Sequence, residues 1–525
     1  MPASITWTGR LGVVLAVAGS AVGLGNFLKF PGLLATYGGG ILIPYLAALI
    51  VIGLPLCWAE WAMGKAGARR GVHSAPAILL AVTGRRWGAA LGGAMPAIVL
   101  GIYGYYLVVE AWCLFYAWQY LVSGIPTGGG SALFARMTGV GGDGQVAALP
   151  GVLACVAICH GLNLLVLAGG IRAGIERLCT WGLPLLVLCA VIVVARVLTL
   201  GEVTGADGVA RTVSDGLGAV WNPERTVTAS DGTARTVSLA TTLAKPEAWL
   251  AAASQILFTL SVGMGVLLTY ASYLRERDEV ALASTTAAAA NQTCEVVLGG
   301  MMAVPAAVLF LGSGILIAVP GLFGLGFVSL PEVFAAMPGG QAIGFCFFAL
   351  LFLAAITSSL SMLQPGCAMA QEVLGLGRGA AVAALGLITL PGIAITLWLS
   401  GGLTALDTMD FWIGNLALML CALATAVIVG WVWPGDGGMA ELRRGARLDV
   451  AGLAGPVLRW VTPLALLAIL AGFLAKELAG GGRVAALADW RVALSAGWVI
   501  ALVLVGAALG HRARYRLAAR IGAAP

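Results

Sequence analysis

Charge is what this sequence has least of: Asp, Glu, Lys and Arg make up only 10% of its 525 residues, against 60% hydrophobic residues. A chain with a mean hydropathy of +0.98 cannot cover itself with a water-facing surface. This excludes an ordinary soluble domain and points to lipid as the solvent. Histidine is scarcer still. His73, His160 and His511 lie far apart with no ligand spacing, and the ten cysteines stand singly, mostly inside apolar runs, in no metal or redox pattern. A membrane enzyme would therefore lack both a metal cluster and a nucleophile–base pair, and the cysteines read as small packing residues. No small-residue cleavage site follows the first apolar run, which continues through Gly25 and Pro31 and reads as a span rather than a removable signal.

What the sequence does have is apolar runs of about 20 residues, enough to cross ~30 Å of hydrocarbon as helix. They predict an all-α polytopic membrane protein with spans near 9–35, 39–66, 88–122, 149–168, 175–200, 248–274, 280–312, 341–374, 379–399, 405–432, 457–477 and 490–510. Basic residues gather on alternate loops: Lys65, Arg69, Arg70, Arg85 and Arg86; Arg172 and Arg177; Arg275 and Arg277; Arg443, Arg444 and Arg447; and the tail His511, Arg512, Arg514 and Arg516. The positive-inside rule then puts both termini in the cytoplasm and makes the span count even, and the expected location is the inner membrane of a prokaryote, crossed many times. The rule also makes the net charge of +6 a topological bias rather than a nucleic-acid surface. The polar stretch 201–247 falls outside and reads as an external loop, leaving one transmembrane domain over 1–525.

Two spans are too rich in glycine to be simple lipid-facing helices. The first holds Gly19-Ser20-Ala21-Val22-Gly23-Leu24-Gly25-Asn26, and the sixth holds Thr259-Leu260-Ser261-Val262-Gly263-Met264-Gly265. Each such glycine weakens a helix by about 1 kcal/mol relative to Ala, and non-helical backbone at membrane depth is tolerated only where it is buried or lines a cavity. Close helix packing explains one such stretch equally well. Two of them, opening successive blocks of five spans, fit an inverted repeat with its binding site between two interrupted helices. Helix N-termini at such a break face anions, and helix C-termini and loose carbonyls face cations.

These residues resemble the neurotransmitter:sodium symporter family. The stretches that carry the resemblance are Trp7-Thr8-Gly9-Arg10, Ala21 through Pro31, Gly38-Gly39-Gly40, Gly53-Leu54-Pro55-Leu56, Thr269-Tyr270-Ala271-Ser272-Tyr273, Thr357-Ser358-Ser359 and Met409-Asp410-Phe411-Trp412, collinear from about 7 to 515. The resemblance implies a LeuT-like 5+5 inverted repeat, with repeat one over about 9–200, repeat two over about 248–432 and two extra helices over about 457–510. It implies sodium-coupled symport of a small hydrophobic L-amino acid by alternating access.

Carried over position by position, the resemblance implies two sodium sites. The first takes Ala21, Asn26, Thr259 and Asn291; the second takes Gly19, Val22, Ala354, Thr357 and Ser358. All offer neutral oxygens, which suit a hard monovalent cation better than calcium. Taken singly, an Asn or Thr in a span more often glues helices together. The implied substrate contacts are Ser20, Ala21, Gly23, Gly25, Ile102, Tyr106, Phe258, Thr259, Ser261, Met264, Ser358 and Met362, though a lone Tyr or Met on an apolar helix is ordinarily core. Lys29 and Asp410 match the external gate, Tyr273 and Glu372 the cytoplasmic latch. Glu295 replaces the serine of chloride-dependent members, which implies chloride independence and leaves proton counter-transport open. Glu60 and Glu110, also inside spans, are as readily structural as mechanistic. Gly174 and Pro184 match a spacing whose unwinding would wet the second sodium site, although a proline kink explains them as well.

One departure stands out: Met1-Pro2-Ala3-Ser4-Ile5-Thr6 lacks the basic residue that normally latches the cytoplasmic side. The expected partners are amino acid, sodium and bilayer, with no nucleic acid; a homodimer stays open. A membrane sensor that binds an amino acid without moving it shares these features, and uptake driven by a sodium gradient separates the two.

Overall fold

The computed structural model describes residues 7, 10–140, 149–228, 234–276, 278–318, 323–480 and 482–522. The N-terminal stretch without a basic residue, the Thr8-Gly9 part of the first motif and the loop residue Arg277 lie outside them.

Among the described residues, ten helices are long and apolar enough to cross a membrane: Gly39–Arg69, Arg86–Val122, Pro150–Ala168, Ile171–Leu198, Val280–Leu311, Gly340–Val373, Arg378–Leu399, Gly401–Val432, Ala451–Ala475 and Trp490–Ile521. We number them spans 2 to 5 and 7 to 12 in chain order. Spans 1 and 6 are absent from that set because each is broken. Span 1 runs as helix over Arg10–Ala21 and resumes through a wide turn at Gly25–Lys29 into Phe30–Tyr37. Span 6 runs over Pro246–Thr259 and resumes at Val266–Ala271. The second break is written into the backbone, since Ser261, Gly263 and Gly265 have φ of 54°, 81° and 73°. Ser261 thus adopts a left-handed conformation that L-residues rarely take.

Spans 3 and 8 form the centre, with 94% and 72% of their apolar windows buried, whereas spans 4, 11 and 12 bury only 33%, 22% and 28% and present the rest outward. Small residues let the central helices approach. The Tyr120 ring of span 3 lies 2.5 Å from where a Cβ on Gly344 of span 8 would stand, and Gly93 of span 3 meets the backbone of Gly506 on span 12. Any larger side chain there would push the helices apart.

One expectation changes. The 201–247 insertion is more than a plain loop: Val203–Thr204 pairs antiparallel with Ala210–Arg211, Arg225–Thr228 pairs with Ala234–Val237, and helices cover Val213–Trp221 and Leu239–Leu243. The Arg225 guanidinium donates to the Ala219 carbonyl at 2.6 Å and to the Ala35 carbonyl, which ties the insertion to the end of span 1. Span 5 is helical between Gly174 and Pro184. Gly174 lies in a wide helical turn over Ile171–Glu176, and Pro184 is contained within the helix Arg177–Leu198.

Candidate functional site

The two breaks face each other at the middle of the bundle and bring together residues far apart in sequence. Asn26 is fully buried. Its Oδ1 accepts the Gly23 N–H at 2.9 Å, and its Nδ2 donates to Asn291 Oδ1 on span 7 at 2.8 Å. Asn291 Nδ2 donates to Thr259 Oγ1 at 3.0 Å, and the Thr259 hydroxyl donates to Glu295 Oε2 at 2.5 Å. The chain links both broken helices through span 7. Gln255, which sequence reasoning missed, completes it: Nε2 reaches Glu295 Oε1 at 2.5 Å and the Gly25 carbonyl at 3.3 Å. Its position four residues before Thr259, on the same helical face, was the available signal.

A second cluster joins span 1 to spans 3 and 8. Tyr106 accepts the Leu24 N–H at 3.2 Å, and the Ser358 hydroxyl donates to the Ser20 carbonyl at 3.2 Å. A Cβ on Gly23 would lie 2.7 Å from Ser358 Oγ and 3.1 Å from the Tyr106 hydroxyl, so only glycine leaves this corner open. Below it, Thr357 Oγ1 donates to the Ala354 carbonyl at 3.2 Å, and its Cβ lies 3.8 Å from where one on Gly19 would stand. Ala21 and Val22 are buried as well.

The donors fit a bare monovalent cation in kind, being carbonyls, amide oxygens and hydroxyls. Two buried oxygens in this region, Ser20 Oγ and Gln255 Oε1, have no hydrogen-bond partner among the described residues. Such orphans are costly unless a ligand or water takes them up.

A cavity of about 640 Å³ descends onto this centre, lined among others by Gly25, Lys29, Tyr105, Tyr106, Phe258 and Asp410. Of the expected substrate contacts, Gly25, Tyr106 and Phe258 line it; Ile102, Ser261, Met264 and Met362 are buried and do not. Lys29 and Asp410 face this space without pairing. The Lys29 ammonium lies 4.8 Å from the centre of the Phe258 ring, while Asp410 accepts from the Tyr105 hydroxyl at 2.8 Å and from Asn415 Nδ2 at 3.0 Å. A flexible point charge has no two-pronged fit to a carboxylate and is drawn to the ring face instead.

On the opposite side, Trp7 is fully buried and donates to the Tyr270 carbonyl at 3.2 Å. Glu372 and Tyr273 do not bond to each other among the described residues. Glu372 accepts the His73 and Ser74 N–H groups at 2.9 and 3.0 Å and the Ser74 hydroxyl at 2.6 Å. Tyr273 accepts from Gln364 Nε2 at 3.2 Å and stacks on His73, with ring centroids 4.3 Å apart. The cation near Glu372 is Arg520, 4.0 Å away on the C-terminal helix. No pattern in the local sequence pairs residues 372 and 520.

Glu60 holds the second break, accepting the Gly263 N–H at 2.5 Å. No cluster of His, Cys, Asp and Glu able to hold a metal ion exists among the described residues.

Paired broken helices around a buried centre of neutral oxygens, within a multi-pass helical bundle, define a membrane carrier for small solutes coupled to a cation. The chain belongs to the sodium:neurotransmitter symporter family, whose model matches residues 5–135 and 232–511. Its members are transporters, not enzymes. The chain is 29% identical over 441 residues to a sodium-dependent transporter of Methanocaldococcus jannaschii, covering 82% of each chain. It is 26% identical over 465 residues to the human sodium- and chloride-dependent GABA transporter 2, covering 81% of this chain and 73% of that one. Among solved structures, MhsT in complex with L-phenylalanine superposes with a TM-score of 0.72 at 29% identity, covering 88% of this chain and 98% of MhsT. Both the LeuT-like fold and the dependence on sodium follow.

Proposed function

We propose that this protein carries a small hydrophobic L-amino acid into a prokaryotic cell, driven by two sodium ions and without chloride. The observation that carries this reading is the oxygen chain Gly23–Asn26–Asn291–Thr259–Glu295, which joins both broken helices and ends on a buried carboxyl. The first sodium binds among Ala21, Asn26, Thr259 and Asn291, and the second among Gly19, Val22, Ala354, Thr357 and Ser358. The substrate carboxylate meets the amides at Gly23 and Gly25 and the Tyr106 hydroxyl, where helix ends and N–H groups favour an anion. The ammonium meets the carbonyls around Ala21, Phe258 and Thr259. L-phenylalanine in MhsT supports an apolar amino acid as substrate.

Glu295 supplies near the first cation the negative charge that chloride gives elsewhere, so no external anion is required. Substrate enters by the cavity above Tyr106 and Phe258, and Lys29 leaves the Phe258 ring for Asp410 as that side closes. Both termini face the cytoplasm, where Trp7, Glu372 and Tyr273 hold the inner side shut until sodium leaves.

Uptake of labelled amino acids into proteoliposomes tests this directly. Sodium-stimulated accumulation of Leu or Phe, unchanged when gluconate replaces chloride, is expected. Binding without accumulation would make the protein a sensor instead.

A further inference from the structure

A second polar network lies behind the site, away from the substrate path, and the carrier reading assigns it no role. Glu110 on span 3, Asn163 on span 4 and Ser359 on span 8 are all fully buried. Asn163 Nδ2 donates to the Glu110 carboxyl oxygens at 3.1 and 3.3 Å, and Asn163 Oδ1 accepts from the Ser359 hydroxyl at 2.8 Å. Span 4 lies at the rim of the bundle with only 33% of its window buried, so a fully buried amide there is an outlier. A polar group in so apolar a setting is costly unless matched, and these partners match both ends of the Asn163 amide.

The positions of the partners give the network a direction. Ser359 follows Thr357 and Ser358, and successive residues of a helix are rotated by about 100°. Anchoring Ser359 on the far face of span 8 therefore fixes the rotation at which Thr357 and Ser358 face span 1. Glu110 lies one turn beyond Tyr106, whose hydroxyl accepts the Leu24 N–H and bonds Ser358. Asn163 thus ties together the two helices whose near faces carry the Tyr106 and Ser358 hydroxyls.

We propose that Glu110, Asn163 and Ser359 form a positioning clamp for the second sodium site, setting the Thr357 and Ser358 hydroxyls without touching the ion. The clamp rests on the sodium sites proposed above. Its test is the sodium response of Asn163→Leu and Ser359→Ala, read both as sodium-dependent rise in melting temperature of purified protein and as sodium activation of uptake. Both variants should need roughly three- to tenfold more sodium for half-maximal effect, while substrate half-saturation at saturating sodium changes by less than about twofold. Glu110→Gln keeps an oxygen for the Asn163 amide and should stay near wild type. If Asn163→Leu does not fold, Ser359→Ala carries the test, since it removes only one oxygen. Unshifted sodium curves in folded variants overturn the clamp alone, as does a loss confined to substrate affinity or a Glu110→Gln protein as impaired as Asn163→Leu. A wild type with no sodium response overturns the cation sites and the clamp together.

Discussion

Asn26 shows how much a single side chain does in this bundle, because its amide both caps the Gly23 N–H and reaches Asn291 on another helix. Alanine at 26 removes a proposed cation ligand and the link between spans 1 and 7. Asn26→Ala, and likewise Thr357→Ala, should abolish sodium-dependent substrate binding in a scintillation proximity assay; retained sodium dependence in both would remove the assigned sites. Met264 is buried at the break of span 6. Met264→Phe puts a rigid ring where a flexible thioether adapts, so Phe and Trp should lose more affinity than Ala or Leu in competition binding. An equal loss across the panel would show that Met264, which does not line the cavity in this structure, takes no part in selecting the substrate. Residue types legible in the sequence motifs, such as Asn26, Thr259 and Glu295, fall in one connected centre here. Gln255 had only its spacing to Thr259 as a signal, and Tyr105 and Asn415 were not legible, because a hydrogen bond between helices leaves no trace in local periodicity.

Among the elements, the two breaks were readable in advance because glycine density is a local property of the chain. Most span limits came within a few residues, but span 11 starts earlier than expected, at Ala451, and the last helix runs well past the expected 510, to Ile521. The 201–247 insertion was not readable in advance. Its Thr, Gly and Asp content is equally that of a loop and of short hairpins, and what folds it is contact with the rest of the molecule, such as Arg225 on the end of span 1. The break in span 6 needs Glu60: Glu60→Leu strands the buried Gly263 N–H and should cost about 1–3 kcal/mol, visible as a lower melting temperature, whereas Glu60→Gln keeps an acceptor and should lose less. At the end of the bundle that holds Trp7 and Glu372, burial pushes the His73 imidazole below its ordinary 6.5, against a smaller upward pull from Glu372. The closed face therefore holds His73 neutral. Above 6.5 opening takes up no proton, but as pH falls below 6.5 and through the lowered value, opening does so and the closed face loses stability. Spin labels on the inner ends of spans 1 and 8 should report longer distances at pH about 5.5 than at about 7.5, and His73→Gln should flatten the difference. Distances independent of pH in the wild type would remove His73 from the closure.

At the scale of the whole molecule, the proposed coupling rests on charge balance in a buried centre. Glu295 is fully buried and bonded to Thr259 and Gln255, beside the position proposed for the first cation. Glu295→Ser removes that negative charge, so transport by the variant should become dependent on chloride while the wild type stays indifferent; equal uptake by the variant in chloride and gluconate at the wild-type rate would rule out this role. The central claim is that the two oxygen-lined breaks couple the sodium gradient to movement of an amino acid. It is tested most directly by proteoliposomes loaded with potassium and diluted into sodium, with labelled Leu or Phe outside. Accumulation above the external concentration that collapses when a sodium ionophore dissipates the gradient is the predicted result. Saturable binding with no accumulation, or accumulation that survives the ionophore, would contradict it.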